Sequence, residues 1–164
     1  MSDCLSFPPV WRPDARVLIL GSMPGEESLR RQQYYAYRHN AFWRILGELC
    51  GFAPALPYPE RLAALQEHRI ALWDVLRSCR RDGSLDSDIR DALPNDIQGL
   101  AARTPELRLI LCNGGASAQY YRRHFGKTIA IPMRRLPSTS PAAAAIPYAA
   151  KLHAWREALA AVRA

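Results

Sequence analysis

Residues 17–43 read VLILGSMPGEESLRRQQYYAYRHNAFW, and the way this stretch begins decides the fold. Val17 to Leu20 are four apolar residues in a row, as in a strand buried on both faces, and they stop at once in Gly21-Ser22-Met23-Pro24-Gly25. Gly21 and Gly25 let a ligand approach the main chain, and Pro24 stiffens the turn. The segment therefore predicts a ligand loop at the carboxyl end of a strand, where open α/β sheets bind their ligands. No Gly-Lys-Ser/Thr follows, which excludes a P-loop, and the third glycine of a dinucleotide fingerprint is missing. An ordinary strand-to-loop turn is the plain alternative. Tyr34, Tyr35 and Tyr37 bring three rings near the loop, suited either to stacking on a flat ligand or to covering the end of the sheet.

Outward from this stretch, three more segments read as strands: Ile70 to Val75, Leu107 to Cys112, and Thr128 to Met133, the last with a proline that suits an edge. Helical spacing predicts helices over 41–50, 60–68, 95–103 and 116–124, and from Pro147 onward, where Tyr148, Leu152, Trp155, Leu159 and Val162 share a face. Strands alternating with helices predict an α/β fold with a parallel sheet covered on both faces. Residues before Arg16 read as irregular, with Phe7 and Trp11 packing back on the core. Arg77 to Asp91 carries so many charges that it reads as a solvated loop.

The length, 164 residues, fits one domain over the whole chain with a full core. A net charge of +7 and a pI near 9.6 favour a polyanionic partner, since lysine and arginine displace condensed counterions from phosphates. No apolar run is long enough to cross a membrane and no basic segment precedes an apolar one, so the expected location is the cytoplasm. Cys4, Cys50, Cys79 and Cys112 are scattered without a CxxC pair, and small core residues are the expected role rather than a metal site or disulfide framework.

Three polar residues interrupt this apolar plan. Asn40 stands where a helix cap would, just before Ala41-Phe42-Trp43. Asp74 ends an apolar strand, where a carboxylate must meet backbone amides or a ligand. Asn113 precedes Gly114-Gly115 at the end of a third strand, as a site shared by neighbouring parallel strands would require.

The order GSMPG, SL, QYYA and NAFW, followed by LWDVL with GSLDS, then NDI and LPSTSPA, resembles the hypoxanthine-DNA glycosylases of the uracil-DNA glycosylase superfamily. The resemblance runs from about Val17 to the last helix. It implies a three-layer α/β/α sandwich around a four-stranded parallel sheet, and a monofunctional enzyme that flips hypoxanthine out of DNA and hydrolyses its glycosidic bond. Asn40 then matches the family's catalytic asparagine, and Asp74 stands at the base-reading position, where an ionised carboxylate would accept from N1–H. Asn113 is a second candidate at the base. The pocket would comprise Gly21, Ser22, Met23, Pro24, Gly25 and Asp74, with Tyr35 as the stacking ring. Arg134, Arg135, Pro137, Ser138, Thr139 and Ser140 would meet the DNA backbone and minor groove. GSLDS would be an ordered loop near the DNA.

No cofactor, metal or iron–sulfur cluster is expected, nor a Schiff-base lyase step, because the matched motifs contain no lysine. A monomer is the expected state. Met23 and Leu136 depart from better-known branches, which carry a water-activating Asp or Asn and a His at those places. Both departures argue against strong uracil excision and leave room for DNA damage binding without cutting; uracil or xanthine is the alternative substrate within the enzyme class, and a small-molecule nucleotide binder a more distant reading.

Overall fold

The computed structural model describes residues 2–163. Its centre is a parallel sheet built from β2 (Val17–Gly21), β3 (Ile70–Asp74), β6 (Leu109–Asn113) and β7 (Met133–Leu136), in the order β3-β2-β6-β7. Val17 pairs with Ile70 on one side and Leu109 on the other, so the three long strands run in step and end together at Gly21, Asp74 and Asn113. Runs such as VLIL and LILC exist because both faces are covered.

On one face lie α2 (Phe42–Cys50), α3 (Tyr58–Glu67) and α6 (Tyr148–Arg163), which bury Phe42, Ile45, Leu46, Leu65 and Trp155 against Val17, Ile19, Leu72 and Leu111. On the other lie α4 (Ile97–Ala102) and α5 (Gly115–Phe125), packed against Leu18, Leu20, Ile110 and Cys112. This is the α/β/α sandwich expected. The short α1 (Glu26–Arg31) follows the glycine loop. The Asp96 side chain caps α4 by accepting from Gly99 N–H at 2.9 Å, and Gly51, at φ 78°, ends α2.

Two expectations fail here. Residues 2–5 and the charged stretch after Asp74 are not irregular: β1 (Ser2–Leu5), β4 (Leu76–Arg81) and β5 (Arg90–Pro94) form a second, antiparallel sheet in the order β1-β4-β5. Charge misleads because Arg81 is itself buried, at 1% exposure, and because register shifts at Ser78 break the two-residue alternation. The fourth strand of the main sheet is Met133–Leu136 rather than 128–133. Pro132 supplies only its carbonyl, to Ile110 N–H at 2.9 Å, and the strand proper is the charged MRRL at the sheet's edge. Cys4, Cys50, Cys79 and Cys112 are all buried, and Phe7 packs into the core with Trp11 against its margin.

Candidate active site

At the carboxyl ends of β2, β3 and β6 the structure opens into a cleft of about 730 Å³. Its lining includes Gly21 to Gly25, Tyr35, Asn40, Asp74, Asn113 and Ser138 to Ser140, residues far apart in sequence that were singled out from it. Arg134, Arg135 and Pro137 are not among the lining residues. The two arginines are exposed on β7, and Arg135 leans over Gly115, where any Cβ would meet its guanidinium.

The glycine loop is joined to the next strand's end. Val75 N–H donates to Gly21 carbonyl at 2.8 Å and Leu76 N–H to Ser22 carbonyl at 3.1 Å, so the main-chain pairing runs past the sheet into the loop. Gly21 is required by its neighbours: a Cβ there would strike Asp74 Oδ1 and lie 3.0 Å from the Tyr35 hydroxyl. Asn95 braces the same corner, donating through Nδ2 to the carbonyls of Asp74 (2.9 Å) and Leu76 (3.1 Å). The NDI stretch thus supports the site from behind.

Asp74 is 3% exposed, and its Oδ2 is sealed without any hydrogen-bond partner. Burial first, and then the nearby Asp86 carboxyl, push its pKa up to about 8 against the smaller opposing pull of Arg81. Burial thus favours the neutral acid, where the sequence suggested an ionised acceptor.

Asn113 is fully engaged. Its Nδ2 donates to Thr139 Oγ1 (3.0 Å) and Tyr35 hydroxyl (3.2 Å), while its Oδ1 accepts from Thr139 N–H (3.0 Å). Both amide protons go to Tyr35 and Thr139, so the side chain ties a tyrosine and a loop together at the cleft wall. Thr139 is 1% exposed, and its hydroxyl accepts from Asn113 rather than facing solvent. Ser138 and Ser140 accept from Ser140 N–H and Ala142 N–H, keeping their own hydroxyl protons to donate. From below, Trp155 Nε1 donates to Pro137 carbonyl (3.1 Å) and Lys151 Nζ to Ser140 carbonyl (3.4 Å).

Tyr35 forms part of the cleft wall. Its ring stacks on Phe42 (centroids 4.0 Å apart, 24° between planes), and its backbone sits at φ 53°, an uncommon value for an aromatic residue. One face is therefore occupied by Phe42. Tyr34 is core, with its hydroxyl donating to Pro8 carbonyl, and Tyr37 stands exposed at the cleft's rim. Asn40 is not the cap of α2: its Oδ1 accepts from Phe42 N–H at 2.9 Å, two residues on, while the cap position falls to Ala41. That bond fixes the amide's orientation and leaves Nδ2 as the group free to donate toward the cleft. Ala41 N–H donates to Thr139 carbonyl at 2.9 Å, tying the NAFW turn to the LPSTSPA loop.

The loop expected near the DNA from GSLDS forms a second wall of the cleft. The GSLDS turn folds over the glycine loop: Ser22 Oγ donates to Asp86 Oδ1 at 2.6 Å, and Glu26 N–H to Ser84 Oγ at 2.8 Å. Arg81 lies beneath, donating through Nη2 to Pro24 carbonyl, with Nε and Nη1 buried and unpartnered. GSLDS was noticed as a motif, but nothing in the charges of 77–91 marked Arg81 as the one turned inward.

The sequence pattern of the Uracil DNA glycosylase superfamily matches residues 8–162, nearly the whole described chain. The chain belongs to the uracil DNA glycosylase superfamily. It is similar to two proteins named hypoxanthine DNA glycosylase, one from Methanosarcina barkeri at 42% identity and one from Methanosarcina acetivorans at 44%. Each match spans 115 residues, 70% of this chain and 73% of the relative. The solution NMR structure of a Methanosarcina acetivorans protein provisionally named a uracil DNA glycosylase superposes with a TM-score of 0.85 at 35% identity, covering 99% of this chain and 100% of that one. This superfamily member is a DNA glycosylase, and DNA is its substrate. No described helix is long and apolar enough to cross a membrane.

Proposed function

We propose that this glycosylase excises hypoxanthine, the product of adenine deamination, from DNA and leaves an abasic site with the strand intact. The observation that carries this reading is the buried Asp74 at the end of β3, whose Oδ2 has no hydrogen-bond partner and whose burial favours the neutral acid. Deamination replaces the exocyclic amino donor of adenine with the carbonyl acceptor O6. With Oδ2 sealed, Oδ1 is the oxygen left for a ligand, and as a neutral acid it donates to that carbonyl. Adenine would bring its own donor to the same place and leave both unpaired, a mismatch that a buried polar site penalises strongly.

The other assignments follow from what each group has left to give. Asn40 donates from Nδ2 to the departing base as negative charge gathers on it. Asn113 positions Tyr35 and Thr139. The backbone of Gly21 to Gly25 closes one side of the base, Tyr35 offers the ring face opposite Phe42, and Met23 and Pro24 add apolar walls. Ser138, Ser140, Pro137, Arg134 and Arg135 meet the DNA backbone and groove. A monomer suffices, since one cleft holds one flipped base.

The test is release of free base from duplexes carrying deoxyinosine, deoxyuridine or deoxyxanthosine, with EDTA present and Asn40→Ala as control. Hypoxanthine release exceeding that of uracil and xanthine, and lost by at least about 100-fold in Asn40→Ala, is the expected result. Preferential loss of uracil or xanthine would reassign the substrate. DNA binding without release of any base would leave a damage-binding protein.

A further inference from the structure

Hydrolysis of a glycosidic bond leaves a task that the groups above do not perform. The attacking water must lose a proton, yet Asn40 is an amide and Met23 a thioether, and neither can take it. We propose that Asp86, in the turn that folds over the glycine loop, is the carboxylate that accepts this proton, paired with Asp74 as the acid on the leaving-base side. The inference rests on the glycosylase reading.

Four carboxyl groups line the cleft: Glu26, Glu27, Asp74 and Asp86. Glu27 is bound by both Arg30 and Arg31, which hold its pKa below the usual carboxylate range. Glu26 stands exposed on the first turn of α1. Asp74 has its Oδ2 sealed without a partner, and burial favours its neutral form. Asp86 differs from all three. Ser22 Oγ donates to its Oδ1 at 2.6 Å and so favours the ionised form, while no hydrogen bond occupies its Oδ2 among the described residues. It stands on a solvent-exposed turn at the cleft, where water reaches it. No histidine is among the lining residues to compete.

The charged and titratable surroundings of Asp86 agree with a carboxylate kept basic without being neutralised. The walls of the cleft raise its pKa, and Ser22 and then Arg81 of β4 oppose that rise. Asp74 of β3, Cys79 of β4, Tyr35 and Tyr120 of α5 also feel its charge. Two carboxyls in one cleft, one with its Oδ2 sealed and one held by a hydroxyl donor, are a pairing that serves acid and base together.

In the step itself the C1′–N9 bond breaks and its electron pair stays on the base. Water oxygen forms the new bond to C1′, and its released proton passes to Asp86. The Asp74 acid proton passes to the base, which leaves neutral. Asp86 ends protonated and Asp74 ionised, and exchange of one proton through solvent restores both. The net change is one water consumed, with a hydroxyl added to the sugar and a hydrogen to the base.

Single-turnover excision from a deoxyinosine duplex, with DNA affinity and melting temperature measured in parallel, tests the assignment. Asp86→Asn keeps an oxygen to accept from Ser22, so the turn stays tied while the base is lost. We expect a fall in rate of about 100-fold or more with affinity changed less than about threefold, and recovery as formate is added. The wild-type rate should rise with pH through the Asp86 titration, and that limb should vanish in Asp86→Asn. A variant within about threefold of wild type would overturn the proposal. So would a loss that follows affinity or melting temperature and that formate does not restore. Absence of base release by wild type would remove the glycosylase reading and this inference with it, whereas active wild type with active Asp86→Asn would remove the inference alone.

Discussion

Asp74 couples the reading of a base to the stability of the fold. Its pKa rises from 3.8 to about 8, so between those values it is protonated in the folded chain and ionised in the unfolded one. Folding then takes up a proton, and stability falls as pH rises through that window and stays low above it. Asp74→Asn removes the term. Its melting temperature should exceed wild type at pH 8, by on the order of a few kcal/mol in stability, and the advantage should disappear toward pH 4. Parallel pH curves for the two proteins would show that the carboxyl is not neutral in the fold. The residue itself was legible, because a lone Asp ending IALWD is conspicuous. Its protonation state was not, since that depends on the sealing of Oδ2 and on Asp86, twelve positions away, which no local pattern reveals.

Among the elements, the parallel strands β2, β3 and β6 and five of the six described helices could be read from apolar runs and periodicity, because those signals come from burial on one or both faces. The missed strands β4 and β5 lie where burial is partial and arginine is among the inward residues. The same limit applies to loops, whose positions are set by bonds across long sequence separations. Asn113 holds the LPSTSPA loop through Thr139, twenty-six residues on. Asn113→Ala should leave Thr139 N–H and Tyr35 with fewer partners, cost about 1–3 kcal/mol of stability, and speed amide exchange over 138–143. Unchanged exchange would mean that α6, through Lys151 and Trp155, holds the loop unaided.

At the scale of the molecule, a charge of +7 gives a general attraction to DNA that composition alone announced. Where it acts was less legible: Arg134 and Arg135 lie on the outer strand β7, outside the cleft. If both contact phosphates, replacing them with alanine should weaken binding alike on damaged and undamaged duplexes. It should also reduce the slope of log affinity against log salt by about 2. A slope equal to wild type would place the DNA elsewhere. The two sheets divide the work, the parallel one ending in Gly21, Asp74 and Asn113, the antiparallel one carrying Arg81 and the Asp86 turn. Strand β1 lies along β4 from Leu5 against Ser78 to Ser2 against Arg81, and Ser2 N–H donates to Asp82 at 3.1 Å. A purification tag fused just ahead of Ser2 would therefore pull on the strand that carries Arg81.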